Sequence, residues 1–144
     1  SNNYGPHQHK EKFIPTIISS ILNNKNIPIY GTGNNIRDWL FVQDHVEAID
    51  IIFHNGIKGD TYNIGADNEI SNLALVHFIC DIFVEKKYHS NPKRLISFVN
   101  DRLGHDKRYA INFSKIQEQL SWSPKFDFQT SLASTIDWYF THFK

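Results

Sequence analysis

A chain of 144 residues is sized for one globular domain, and 40% hydrophobic with 14% aromatic content excludes a disordered polymer. Fifteen basic and fifteen acidic residues cancel to a formal charge of +0, so no overall field draws the chain to nucleic acid or an anionic membrane. The single cysteine, Cys80, excludes an internal disulfide and fits a reducing compartment, and no apolar run reaches membrane-spanning length.

The opening nine residues are polar and turn-rich, with Gly5-Pro6 as a breaker, so a loop is expected there. A chain that begins on such a loop reads as part of something larger. Over 11–22 the spacing of Phe13, Ile17, Ile18, Ile21 and Leu22 predicts a helix, with Pro15 tolerable only in its first turn. Residues 27–30 predict a short strand that Pro28 confines to an edge or a strand start. Gly31-Thr32-Gly33 lacks the third glycine and the following helix of a dinucleotide fingerprint, so a hairpin turn is expected instead.

A strand of alternating Trp39, Leu40, Phe41 and Val42 follows. Asp44, with Glu47 three residues on, has the spacing of a helix cap. That helix should run to about His54, with Val46, Ile49, Ile52 and Phe53 on one face and Gly56 at its end. Arg37 stands at a loop-to-strand junction and needs an anionic partner, which Asp38, Asp44 or a ligand phosphate could supply.

Residues 61–65 read as a strand and the polar stretch to Ser71 as a loop. The clearest helix covers 72–85, where Leu73, Val76, Ile79, Cys80 and Phe83 form one stripe. Cys80 therefore reads as a buried, inert thiol. A strand is expected over 95–99 and a charged loop over 100–107. Ser114, with Gln117 three residues later, should cap a short helix to Leu120. A last helix from Phe128 or Gln129 should bury Leu132, Ile136, Trp138 or Tyr139, and Phe140. His7 and His9 lack a third metal ligand at helical spacing, and no nucleophile motif of a hydrolase is present.

The loop Asp101-Arg102-Leu103-Gly104-His105-Asp106-Lys107-Arg108 gathers three cations and a histidine around a glycine. Planar guanidinium donors and an imidazole beside unhindered backbone suit a diphosphate, although such charges can also pair among themselves in solvent.

Six segments, in order and spanning almost the whole chain, resemble the dTDP-glucose 4,6-dehydratases, extended members of the short-chain dehydrogenase/reductase superfamily. They are Ser1-Asn2-Asn3-Tyr4-Gly5-Pro6, Glu11-Lys12, Pro28-Ile29-Tyr30-Gly31, Arg37-Asp38-Trp39-Leu40-Phe41-Val42-Gln43-Asp44-His45, Thr61-Tyr62-Asn63-Ile64-Gly65 and Asp101-Arg102-Leu103-Gly104-His105-Asp106-Lys107-Arg108-Tyr109-Ala110. The resemblance implies that Asn2, Lys12 and Phe13 line a pocket for the nucleotide sugar. Pro28, Ile29 and Tyr30 would form a wall for the thymine base, and Asn3 would lie near the nicotinamide of NAD. Arg37 would hold the diphosphate with Asn72 at a helix start, and Asp101, Arg102, Leu103, Gly104 and His105 would close over the nucleotide. The family usually has proline where this chain has Leu103, which frees the loop's backbone.

The family's glycine-rich cofactor turn and its Tyr-x-x-x-Lys pair find no match. Tyr88, Tyr109 and Tyr139 are followed four residues later by Pro92, Phe113 and Phe143. The expected fold is mixed α/β. Residues 1–144 would form a single C-terminal substrate-binding segment that lacks a complete Rossmann domain and is inactive alone. The resemblance implies a cytoplasmic, homodimeric parent that uses NAD to convert dTDP-glucose to dTDP-4-keto-6-deoxyglucose and water for deoxysugars such as rhamnose. This segment's partners would be dTDP-glucose and the missing N-terminal Rossmann domain. A stand-alone nucleotide-sugar-binding module, or part of a UDP-sugar epimerase or decarboxylase, are the alternatives.

Overall fold

The computed structural model describes residues 1–143. Strand β3, Ile36–Phe41, lies between two hydrophobic clusters, sending Trp39 into the larger and Leu40 into the smaller. Successive strand residues point to opposite faces, so this one element supplies both cores. β3 pairs in parallel with β1 (Asn2–Tyr4) and β6 (Arg108–Tyr109), and antiparallel with β4 (Glu69–Ser71). A separate parallel pair joins β2 (Ile27–Tyr30) to β5 (Ile96–Val99). The fold is the mixed α/β arrangement expected.

Three helices close the larger cluster: α1 (Phe13–Leu22), α3 (Asn72–Glu85) and α5 (Phe128–His142). They bury Ile14, Ile17, Ile18 and Ile21 against Leu75, Val76, Ile79, Cys80 and Phe83, and against Leu132, Ile136 and Tyr139. Pro15 is the third residue of α1, where its missing N–H leaves no helical bond unmade. Tyr139, rather than Trp138, is the fully buried aromatic of α5. The smaller cluster gathers Leu40, Ala48, Phe113, Ile116 and Trp122 beneath α2 (Val42–Asn55) and α4 (Ser114–Leu120). The apolar face expected on α2 exists, but Val46, Ile49 and Phe53 are 58%, 53% and 83% exposed.

Several expectations are corrected. Gly31 and Gly33 form a turn closed by the Gly33 N–H on the Tyr30 carbonyl at 3.1 Å, but β2 and β3 belong to different sheets, so it is not a hairpin. Residues 61–65 form no strand, and other groups take two of their backbone carbonyls. Lys115 Nζ donates to the Thr61 carbonyl at 2.9 Å, and the amino group of Ser1 to that of Ile64 at 2.8 Å. The stretch read as loop contributes β4, and the opening read as loop contributes β1. α2 begins at Val42 rather than at an Asp44 cap. Ser114 does not cap α4; its N–H donates to Asn112 Oδ1 at 2.8 Å, so Asn112 supplies the acceptor.

Candidate functional site

Between α1, β2, β3 and the loop after β5 lies a cavity of about 450 Å³, within the usual range of small-molecule sites. Nine of the residues expected to bind a ligand line it. Asn2 enters from β1, Lys12 and Phe13 from the start of α1, and Pro28 and Tyr30 from β2. Arg37 enters from β3, Asn72 from α3, and Arg102 and His105 from the charged loop. Segments from Asn2 to His105 thus converge on one hollow.

Its charge is lopsided. Lys12, Arg37 and Arg102 face a single carboxylate, Glu11, so the cavity suits an anion. Arg37 is only 7% exposed and, among the described residues, makes no ion pair. Its guanidinium donates to the Ile36 carbonyl at 2.7 Å and the Asp106 carbonyl at 3.0 Å, and lies 5.2 Å from the Tyr109 ring centre. The carboxylate partners considered from sequence are engaged elsewhere. Asp38 accepts the N–H groups of Ala66 and Asn68 at 3.0 and 2.8 Å, and Asp44 accepts those of Lys125 and Phe126. A charge this buried is costly without an anion beside it, and the cavity is where one can enter.

The apolar wall also differs in detail from expectation. Strand alternation turns Pro28 and Tyr30 toward the cavity while Ile29 is fully buried in the core. Tyr30 stands edge-on to His105, with ring centres 6.4 Å apart. Leu103 is 102% exposed and Gly104 adopts φ +70°, so this part of the loop points away from the cavity. Asp101 does not line it either; its carboxylate accepts from His105 Nδ1 at 2.7 Å. The Asn72 side chain lines the cavity, but the first backbone donors of α3 are already used. Asn72 and Leu73 donate to the Asn35 and Gly33 carbonyls at 2.9 Å, and Ala74 to the Ser71 hydroxyl at 3.3 Å. A helix-terminus anion site is therefore not formed there. Asn3 makes a 2.7 Å hydrogen bond to His45 Nδ1 and does not line the cavity.

Sequence reasoning missed Trp39, Glu11, Thr16 and Ile17 as lining residues. Trp39 was within reach of it, since it lies two residues from Arg37 on the same strand face and pairs with Asn2 in register. Its indole stacks on Phe13 at 6.3 Å between ring centres, and its buried Nε1 has no acceptor among the described residues.

The chain is similar to known proteins in sequence and in fold. The sequence model of the GDP-mannose 4,6 dehydratase family matches residues 1–135. A dTDP-glucose 4,6-dehydratase from Xanthomonas campestris pv. campestris is 43% identical over 99% of this chain, which spans 41% of that relative's length. Among solved structures, dTDP-glucose 4,6-dehydratase from Bacillus anthracis, in complex with NAD, superposes with a TM-score of 0.85 at 42% identity. It covers 98% of this chain, which covers 43% of that one. The Streptomyces venezuelae dTDP-glucose 4,6-dehydratase, with NAD and TYD bound, reaches 0.87 at 35% identity over 97% of this chain and 42% of its own. With a family model matched over nearly its full length, this chain belongs to the GDP-mannose 4,6 dehydratase family.

Proposed function

We propose that this chain is the nucleotide-sugar-binding portion of a dTDP-glucose 4,6-dehydratase, gripping dTDP-glucose by its diphosphate and base. The observation that carries the reading is the buried, ion-pair-free Arg37 on the wall of a cavity it shares with Lys12, Arg102 and His105. Arg37 and Arg102 would take the diphosphate oxygens through paired N–H donors. Tyr30 and Pro28 would flank the base, and Asn2 with Lys12 would meet the sugar. Binding energy collected here, away from the reacting carbons, would hold the hexose in register for chemistry performed elsewhere in the parent.

The cofactor does not fit these residues alone. Gly31 and Gly33 sit between strands of two sheets rather than between a strand and a helix, and the Asn3 amide is held by His45. NAD would supply hydride transfer to the parent enzyme, and no step through it is assigned to this chain. The exposed apolar face of α2 would dock the remainder of a parent that works as a cytoplasmic homodimer. Residues 1–144 would then be one segment of it, inactive when alone.

The test is an NMR titration of the chain with dTDP. Shifts confined to the backbone around Arg37, Tyr30 and His105 are expected, and no shifts at millimolar nucleotide would overturn the reading. Turnover of dTDP-glucose by the chain with added NAD, expected to be nil, checks the division of labour.

A further inference from the structure

Arg37 is the one buried charge on the cavity wall among the described residues, and part of its support comes from Tyr109. The Arg37 Cζ lies over the Tyr109 ring, 5.2 Å from its centre, and the two residues are register partners on β3 and β6. Tyr109 does not line the cavity; it lines a separate hollow with Asn2 and Asp38. Its hydroxyl makes no hydrogen bond among the described residues, so the ring face alone is engaged. With 56% of its surface exposed, Tyr109 belongs to neither core cluster. An aromatic at such a place is not explained by packing.

The segment that carries Tyr109 is tied down along its length. The Asp106 carbonyl accepts from Arg37 Nη2 at 3.0 Å and from Asn35 Nδ2 at 3.1 Å. The Lys107 carbonyl accepts the Ile36 N–H at 2.9 Å, and the Arg108 guanidinium pairs with Glu69 on β4 through two nitrogens. The ring therefore has little freedom to drift from its cation. Among the described residues only two Arg37 nitrogens are engaged, Nη1 on the Ile36 carbonyl and Nη2 on that of Asp106. A guanidinium has five N–H donors, so most remain for an anion. A ring face attracts a cation and repels an anion, which argues against Tyr109 touching a phosphate itself. A free arginine loses much rotamer freedom when it grips a ligand; one already braced by a ring and two carbonyls loses less.

We infer that Tyr109 is a positioning residue for anion binding: its ring face braces the Arg37 guanidinium before the ligand arrives, and so raises the affinity for a nucleoside diphosphate without contacting it. The inference rests on the nucleotide-sugar reading of the cavity. The ring, rather than the hydroxyl, does the bracing, so phenylalanine should replace tyrosine here and an aliphatic residue should not.

NMR titration of the chain with dTDP tests it. Tyr109→Phe should bind like the unmodified chain, and Tyr109→Leu about three- to tenfold more weakly. Tyr109→Gln, also ringless, should match Tyr109→Leu. Added to Arg37→Met, Tyr109→Leu should weaken binding no further, because the residue it acts through is gone. In the free chain the Arg37 Nε–H resonance should carry a ring-current shift that survives in Tyr109→Phe and vanishes in Tyr109→Leu, with the amide spectrum elsewhere kept. Unchanged affinity in Tyr109→Leu would overturn the positioning role and leave the nucleotide-sugar reading intact. An equal loss with and without Arg37 would overturn it too, as would unfolding of both ringless variants, which would mark Tyr109 as structural. No shifts in the unmodified chain at millimolar dTDP would overturn both.

Discussion

The carboxylate of Asp44 accepts the backbone N–H of Lys125 at 2.8 Å across 81 residues of chain, and that of Phe126 at 3.4 Å. Asp44 is 1% exposed, so the first turn of α2 is joined to the segment before α5 by a buried charge with fixed donors. The Lys125 ammonium adds an ion pair to Glu47 at 2.9 Å, on the surface and of little worth. Asp44→Ala would take the acceptor from two part-buried N–H groups and should destabilise the fold by about 1–3 kcal/mol, with Asp44→Asn costing less. Urea unfolding would show this as a lower midpoint at unchanged slope.

Much of this was legible in the sequence where a single physical rule dominates. The stripe of α3, with Leu75 rather than Leu73 fully buried, and the tolerated Pro15 of α1 follow from helical spacing and from proline's missing donor. The cavity residues were legible for a different reason: their segments resemble loops of a known family, since periodicity says nothing about how distant loops meet. The failures have two causes, backbone partners that composition does not reveal and strands too short to show a pattern. Residues 61–65 have strand composition, yet the Lys115 side chain and the Ser1 amino group take two of their carbonyls. The partners of Arg37 are main-chain carbonyls, which every residue carries and no composition reveals. Strands β1, β4 and β6 have two or three residues each, too few to display alternation.

Arg37 should trade binding against stability. Arg37→Met keeps the aliphatic stem but removes a buried charge whose desolvation nothing in the free protein repays in full. The two carbonyls it serves lose their donors, so the opposing effects should leave stability within about 1 kcal/mol. Affinity for dTDP, in contrast, should fall by about tenfold or more. Parallel thermal melts and nucleotide titrations check both signs, and a large stability loss would mark Arg37 as structural.

Alkaline pH should unfold the chain through groups that burial protects. Burial pushes the Cys80 thiol up from 9.0 to about 11 and the Tyr4 hydroxyl from 10.0 to about 12. The unfolded chain gives up these protons first, so the native state binds more of them in the window between. The stability involved is fully present below the unfolded values and drains as pH rises through the folded ones. The melting temperature should therefore fall from about pH 9 upward, and Tyr4→Phe should flatten the upper part of that decline. Cys80 should resist thiol reagents at neutral pH until the protein unfolds, since its side chain is fully buried. Rapid modification of the native protein would contradict this packing.

The outer face of α2 should make the isolated chain self-associate. Val46, Ile49 and Phe53 fall at helical spacing on one side of the helix, and Ile57, 60% exposed, continues it just beyond the end. Single exposed apolar residues are ordinary on a protein surface, but a contiguous row including a Phe that is 83% exposed is not. The helix is held instead by its other side, through Ala48 and the Asp44 clamp, so the row can be changed without touching the core. Phe53→Glu should leave the melting temperature within a few degrees, because the side chain buries little surface to lose. The same change should shift sedimentation toward monomer and lower the binding of a hydrophobic dye. A monomeric, dye-silent unmodified chain would show that the row is too small to drive association, and would remove the reason for reading it as a docking face.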